Sequence, residues 1–191
     1  VIIRNGSSIT ASSAGYGVVT FNPVDMTIQE STVTGYAALY MKGKNSSSGS
    51  ANSTVTVEKG SVLSSQGIAG QSNGFGTIVL EDGNITINIV DSTITASADQ
   101  DTTQSAVHFS SYAQTGGNQV SIAGDSTVLM TGEAANFVNE DPEFQNTAIV
   151  SGGHFSKPVD TKYLHTDLSA QLKRSSGDAP YSYYATVEDA L

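Results

Sequence analysis

Two acidic residues recur in one local setting: Asp91 opens Asp91-Ser92-Thr93 and Asp125 opens Asp125-Ser126-Thr127, while Glu30 opens Glu30-Ser31-Thr32. Carboxylates that recur at one place in successive structural units stack, and stacked carboxylate oxygens are the ligands that a hard cation such as calcium takes. Asp91 and Asp125 are therefore the candidate metal ligands, with solvated turn residues as the alternative reading; no calcium loop of the Asp-x-Asp-x-Asp-Gly type occurs. No cofactor is expected beyond such a cation. Tyr40 and His108 form the second candidate pair, a ring and an imidazole in apolar segments that would stack on a sugar. Arg4 and Arg174 are the only arginines, so a basic group able to abstract a proton is scarce, and His154 and His165 lack carboxylate or cysteine partners at metal-ligand spacing.

What positions these residues is constrained by composition. The chain has 191 residues, no cysteine, no tryptophan and a formal charge of -10. Eight Lys and Arg among eighteen carboxylates leave no positive footprint for phosphates, so nucleic acid is not an expected partner. Nothing approaches eighteen consecutive apolar residues, and the start Val1-Ile2-Ile3 lacks a charged n-region, so neither a membrane span nor a signal peptide is read. Without cysteine, stability rests on packing. About two residues in five are Ser, Thr, Asn or Gly, a composition that suits either disorder or a regular all-β repeat.

The apolar pattern selects the repeat. Aligning on Ser gives Gly6-Ser7-Ser8-Ile9, Glu30-Ser31-Thr32-Val33, Gly60-Ser61-Val62-Leu63, Asp91-Ser92-Thr93-Ile94 and Asp125-Ser126-Thr127-Val128, spaced by 24, 30, 31 and 34 residues, with Ser151-Gly152-Gly153-His154-Phe155 as a degenerate sixth copy. A short alternating run precedes each copy, such as Met26-Ile28, Val55-Val57, Ile85-Ile87-Ile89 and Val120-Ile122, and period two means strand. A third strand follows a polar turn, at Val18 to Phe21, Ala38 to Met41, Thr77 to Leu80, Ala106 to Phe109 and Asn136 to Val138. Three short strands per repeat make the turn of a right-handed parallel β-helix of about six short rungs, in which like residues stack at about 4.8 Å. An antiparallel sandwich is the alternative, but it calls for tight hairpin turns, and Asn-Gly occurs only at Asn5-Gly6 and Asn73-Gly74.

The expected interior files hold Ile3, Ile9, Val33, Val57, Leu63, Ile87, Ile94, Ile122 and Val128. Ser8, Thr10, Thr32, Thr34, Ser64, Thr93, Thr95 and Thr127 should face solvent on the second face. On the third, His108 between Val107 and Phe109 should point outward, with Thr20, Tyr40 and Val79 at the equivalent places. Gly43 to Ser53, Gln66 to Gly74, Ala98 to Gln104 and Gln114 to Gln119 read as protruding loops. The rungs span 1–156, and 157–191 is a C-terminal cap or the start of a following module.

The segment Val150-Ser151-Gly152-Gly153-His154-Phe155-Ser156-Lys157-Pro158-Val159, with Tyr163-Leu164, resembles a recurring segment of large surface-exposed repeat proteins of gut-dwelling, mostly Gram-positive bacteria. The ending from Tyr183 to Leu191 looks like the opening of a further module, a strand leading into a short helix. The preceding rungs resemble pectate-lyase-like β-helices in pattern. The resemblance implies an adhesin-like module of a secreted or cell-surface bacterial protein, one part of a longer chain, that binds or displays toward glycans or surface proteins and is not an enzyme. A polysaccharide lyase or glycoside hydrolase is the alternative function, and an inert stalk is a third. The lyases of this coil use a mid-coil Arg or Lys, whereas Arg4 and Arg174 fall at its two ends; the hydrolases' Asn-Thr-Asp, Asp-Asp, Gly-His-Gly and Arg-Ile-Lys signatures are missing.

Overall fold

The structure, a computed structural model, describes residues 1–12, 14–42, 52–66, 75–97, 104–110, 117–132, 134–168, 170–173 and 177–184. Arg174, residues 185–191 and most of the four polar stretches read as loops lie outside the described residues. The first turn is β1 (Ile2–Ile3), β2 (Ser8–Thr10) and β3 (Val18–Thr20). The second is β4 (Asp25–Gln29), β5 (Thr32–Gly35) and β6 (Leu39–Met41), and the third β7 (Ser53–Glu58), β8 (Val62–Gln66) and β9 (Gly76–Leu80). Then follow β10 (Ile85–Val90), β11 (Thr93–Ser97) and β12 (Ser105–Phe109), and β13 (Gln119–Ala123), β14 (Thr127–Thr131) and β15 (Ala135–Asn139). The pair β16 (Thr147–Val150) and β17 (Gly153–Phe155) begins one more turn. Every third strand pairs in parallel, giving sheets β1-β4-β7-β10-β13-β16, β2-β5-β8-β11-β14-β17 and β3-β6-β9-β12-β15. The chain is an all-β parallel β-helix.

Register explains the apolar alternation. In the first sheet Ile3, Ile28, Val57, Ile89, Ile122 and Val150 form one file, and Met26, Val55, Ile87, Val120 and Ala148 another. In the second, Ile9, Val33, Leu63, Ile94, Val128 and Phe155 stack. A slip of one residue would turn these files to water. From Val33 to Val128 the expected core positions are fully buried, whereas Ile3 and Ile9 are half-buried. These two do not extend the buried ladder, because no described strand lies beyond β1 and β2 to cover their outer side.

The serine on which the repeats align is interior. Ser31, Ser61, Ser92 and Ser126 sit at the corner between the first and second sheets, each at most 4% exposed. Their hydroxyls donate to corner carbonyls: Ser61 Oγ to Glu58 O at 2.7 Å, Ser126 Oγ to Ala123 O at 2.6 Å and Ser92 Oγ to Val90 O at 2.9 Å. The Ser31 and Ser92 amides in turn point at the next turn's Oγ, 3.4 Å away in each case. A bend of two or three residues leaves backbone polar groups inside the coil, and the serine satisfies them.

The segment from Val150 to Leu164 closes the coil. Gly153 adopts φ 114, and a Cβ there would come within 2.7 Å of Ser126 O, so only glycine fits. Phe155 ends the second sheet's apolar file and packs edge-on against Tyr183, with centroids 5.5 Å apart. Tyr183 belongs to β19 (Tyr181–Tyr184), which pairs antiparallel with β17 and with β18 (Ala170–Lys173). Its hydroxyl accepts from Val159 N at 2.8 Å. Tyr163, in a 3-10 turn at Thr161–Tyr163, packs at a tilt against Phe137 with ring centroids 4.7 Å apart, and Leu164 bridges to Val150. The antiparallel pair ends the parallel stacking on the second sheet.

Ile94 is fully buried between Leu63 and Val128. Ile94→Ala should cost about 2 to 5 kcal/mol in denaturant unfolding, and half-buried Ile9→Ala clearly less. Ile94→Asp should abolish the cooperative transition, since an uncompensated buried charge approaches the whole stability of a domain, about 5 to 15 kcal/mol. An unchanged midpoint for Ile94→Asp would refute this register.

Candidate functional site

The third sheet carries the rings. Three aromatics precede its strands: Tyr16 before β3, Tyr36 before β6 and Phe75 before β9. Each follows a glycine in the chain, at Gly15-Tyr16, Gly35-Tyr36 and Gly74-Phe75. At Gly35 the backbones meet so closely that a Cβ would lie 2.7 Å from both Gly15 O and Gly17 N. The corner is therefore thin, and the rings fold over the sheet. Tyr36 and Phe75 stack at 4.7 Å, as do Tyr16 and Tyr40, and Phe75 lies 5.8 Å from both Tyr16 and Tyr40. Ring separations of this size match the spacing of successive turns, about 4.8 Å. Tyr36 is buried and its phenol is held above the usual tyrosine range, first by burial and then by Tyr16. Tyr16 is 37% exposed and Phe21, just after β3, 63%.

Tyr40 and His108 do share a file: Val19, Tyr40, Val79, His108 and Val138 align across the sheet. The first member is Val19, not Thr20, which aligns with Met41 of the interior. Two features correct the expected open stripe. Val79 separates the pair, and His108 is only 4% exposed, with Phe75 6.2 Å from its ring. Nε2 of His108 lies 2.9 Å from Glu140 Oε1, and its buried Nδ1 has no hydrogen-bond partner among the described residues. Burial drives the imidazole pKa below its ordinary 6.5, against the opposing pull of Glu140. Strand alternation gives the direction of a side chain but not what lies over it. His108 anchors the platform from beneath, and Tyr40 is half-buried at its surface.

Beside this file runs a charged one. Lys42, Glu81, Ser110 and Glu140 each follow the last interior residue of a third-sheet strand and stand in register. Lys42 Nζ is 2.7 Å from Glu81 Oε1, 5.6 Å from the Tyr40 centroid and 5.8 Å from that of Phe21. Burial, then Asp82, raises the Glu81 pKa; burial also raises that of Asp82, with Lys42 acting against it. None of Tyr16, Phe21, Lys42, Glu81 and Glu140 was evident as a site residue from the sequence. The Gly-aromatic pair recurring before the first three strands of this sheet was the available signal.

Asp91 and Asp125 do not meet as stacked carboxylates. Asp91 and Ser92 form a two-residue bend between Val90 and Thr93, whereas Gly124, Asp125 and Ser126 occupy three places between Ala123 and Thr127. The extra residue shifts Asp125 along the bend. Asp91 Oδ1 therefore accepts from the Asp125 backbone N–H at 2.9 Å, over Gly124, where a Cβ would overlap it. Among the described residues no three His, Cys, Asp or Glu side chains cluster as a metal site. The hydroxyl files of the second face are also interrupted, by Val62 in one and Leu129 in the other, and apart from exposed Ser8 and Thr10 they are half-buried. Within them Thr95 Oγ1 donates to Ser64 Oγ at 2.8 Å. His154 Nδ1 lies 2.8 Å from buried Ser182 Oγ, and His165 Nδ1 3.5 Å from Asp167, both within the closing segment. Among the described residues no helix is long and apolar enough to cross a membrane.

Comparison of the chain with protein-family models, with curated proteins and with solved structures finds no match in any of the three.

Two measurements check this geometry. His108 should titrate below 6.5 by NMR, and Glu140→Gln, which removes the opposing pull, should lower it further. Because the unfolded chain then binds the proton more readily, His108 favours the fold fully above its ordinary pKa, and that contribution is lost as pH falls through 6.5 toward the folded value. A titration above 6.5 would refute the buried site. Asp91 holds φ 48, which Asn tolerates. Asp91→Asn should thus leave stability nearly unchanged, and Asp91→Ala should cost about 1 to 3 kcal/mol in denaturant unfolding; equal losses in the two variants would contradict the acceptor role.

Proposed function

We propose that this chain is a non-catalytic, adhesin-like binding or display module of a secreted or cell-surface bacterial protein, and that its third face contacts glycans. The observation that carries the reading is the ring platform, in which exposed Tyr16 and Phe21 flank Tyr40 and Lys42 on a rigid sheet. Interior packing accounts for Tyr36 but not for a phenylalanine 63% exposed beside an ion pair. A flat, rigid aromatic surface with charged hydrogen-bonding groups at its rim suits a sugar's apolar face and hydroxyl edge. In such a setting surface proteins are the other class of partner and further domains of a longer chain supply anchoring, and the charge of -10 favours neutral glycans or basic protein surfaces over acidic polymers. The resemblance of residues 150–164 to bacterial surface repeats supports the same setting.

A second reading, a glycoside hydrolase, is favoured by one observation. Glu81 and Glu140 stand two turns apart in one file, so their backbones lie about 10 Å apart at the turn spacing, just above the carboxyl separation of an inverting pair, about 6.5 to 9.5 Å. Each is engaged, however, Glu81 by Lys42 and Glu140 by His108.

On an array of neutral oligosaccharides the protein should give signals that fall at least about tenfold in Tyr16→Ala/Tyr40→Ala, with circular dichroism unchanged. Binding that survives the double variant would move the site off this face, and absence of binding to glycans and surface extracts would leave a stalk. Incubation with the same glycans should release no reducing ends; release abolished by Glu81→Gln or Glu140→Gln would establish the hydrolase instead.

A further inference from the structure

This inference rests on the ring-platform reading and names what the platform selects. We propose that the Lys42–Glu81 pair is the specificity element of the third face, tuning it to uncharged pyranosides and against uronates. Lys42 Nζ lies over both the Tyr40 and the Phe21 rings, 5.6 and 5.8 Å from their centroids. A sugar stacked on either ring presents its equatorial edge to that ammonium. A lone ammonium would attract the carboxylate of a uronate most strongly. Here Glu81 Oε1 sits 2.7 Å from Nζ, and Asp82 follows it, so one cation faces two carboxylates.

The pair is partly shielded, with side-chain exposures of 31% for Lys42 and 16% for Glu81, so salt screens it less than a fully exposed pair. A uronate arriving there meets net negative charge. A neutral sugar finds a donor in Nζ and an acceptor in the Glu81 carboxylate, the two complements of vicinal hydroxyls. Glu81 thereby acts on the ligand directly, and also through Lys42 by cancelling its charge.

The test compares the parent, Glu81→Gln and Glu81→Asp on one array carrying neutral hexose oligosaccharides and oligogalacturonates, at low and at high salt. Glutamine keeps the shape and removes the charge; aspartate keeps the charge. The parent and Glu81→Asp should favour the neutral ligands. Glu81→Gln should gain roughly tenfold in oligogalacturonate signal at low salt and lose that gain at high salt. An unchanged neutral-to-acidic ratio in a folded Glu81→Gln protein would overturn the specificity role while leaving the platform intact. A parent that prefers oligogalacturonates, with binding still lost in Tyr16→Ala/Tyr40→Ala, would overturn it in the same way. A parent whose glycan binding is indifferent to the Tyr16 and Tyr40 substitutions, or absent, would instead remove the platform reading and this inference with it.

Discussion

Everything in this molecule depends on parallel registration of one turn on the next. Each turn is too short to bury its own apolar residues, and it gains a core only when a neighbour continues its files of Ile, Val and Leu. The corner serines show how strict that constraint is. A hydroxyl at 0% exposure is tolerable at Ser61 and Ser126 because it bonds to carbonyls that the bend leaves unpaired. Register therefore fixes polar and apolar groups together, and the two ends of the coil are where that support runs out.

The ends are handled differently. At the first turn, Ile3 and Ile9 remain half-buried. At the last, the chain leaves the parallel path, and Val159, Tyr163 and Tyr183 fill the space that a further turn would occupy. The closure is the segment from Val150 to Leu164. Its Gly153, Phe155, Ser156 and Val159 have structural tasks, and Ser156 Oγ meets both the amide and the carbonyl of Met130, at 2.7 and 3.1 Å.

Much of the fold was legible because period-two alternation and the repeated serine both report local geometry. Alignment on Ser31, Ser61, Ser92 and Ser126 placed Val33, Leu63, Ile94 and Val128 in one file, which is the register found. The site was less legible. His108 was correctly set in the outward file with Tyr40, but its burial depends on what crosses over the sheet, as the 6.2 Å approach of Phe75 shows. The Asp91–Asp125 pairing failed for a different reason. Bends of two and three residues alternate, so equal distance from the serine does not give equal position along the bend. Lys42 and Glu81 are distant in sequence and meet only through the register of β6 with β9.

The third face thus brings stacked rings, an ion pair and a buried imidazole onto a rigid sheet, and we propose that this surface binds glycans. It is tested most directly by two-dimensional NMR of the aromatic protons during titration with the best neutral oligosaccharide. Saturable shifts of the Tyr16, Tyr40 and Phe21 rings are expected, with the Thr93, Thr95 and Thr127 signals of the second face unmoved. Shifts confined to the second face or to the closing segment, with those three rings unperturbed at saturation, would contradict it.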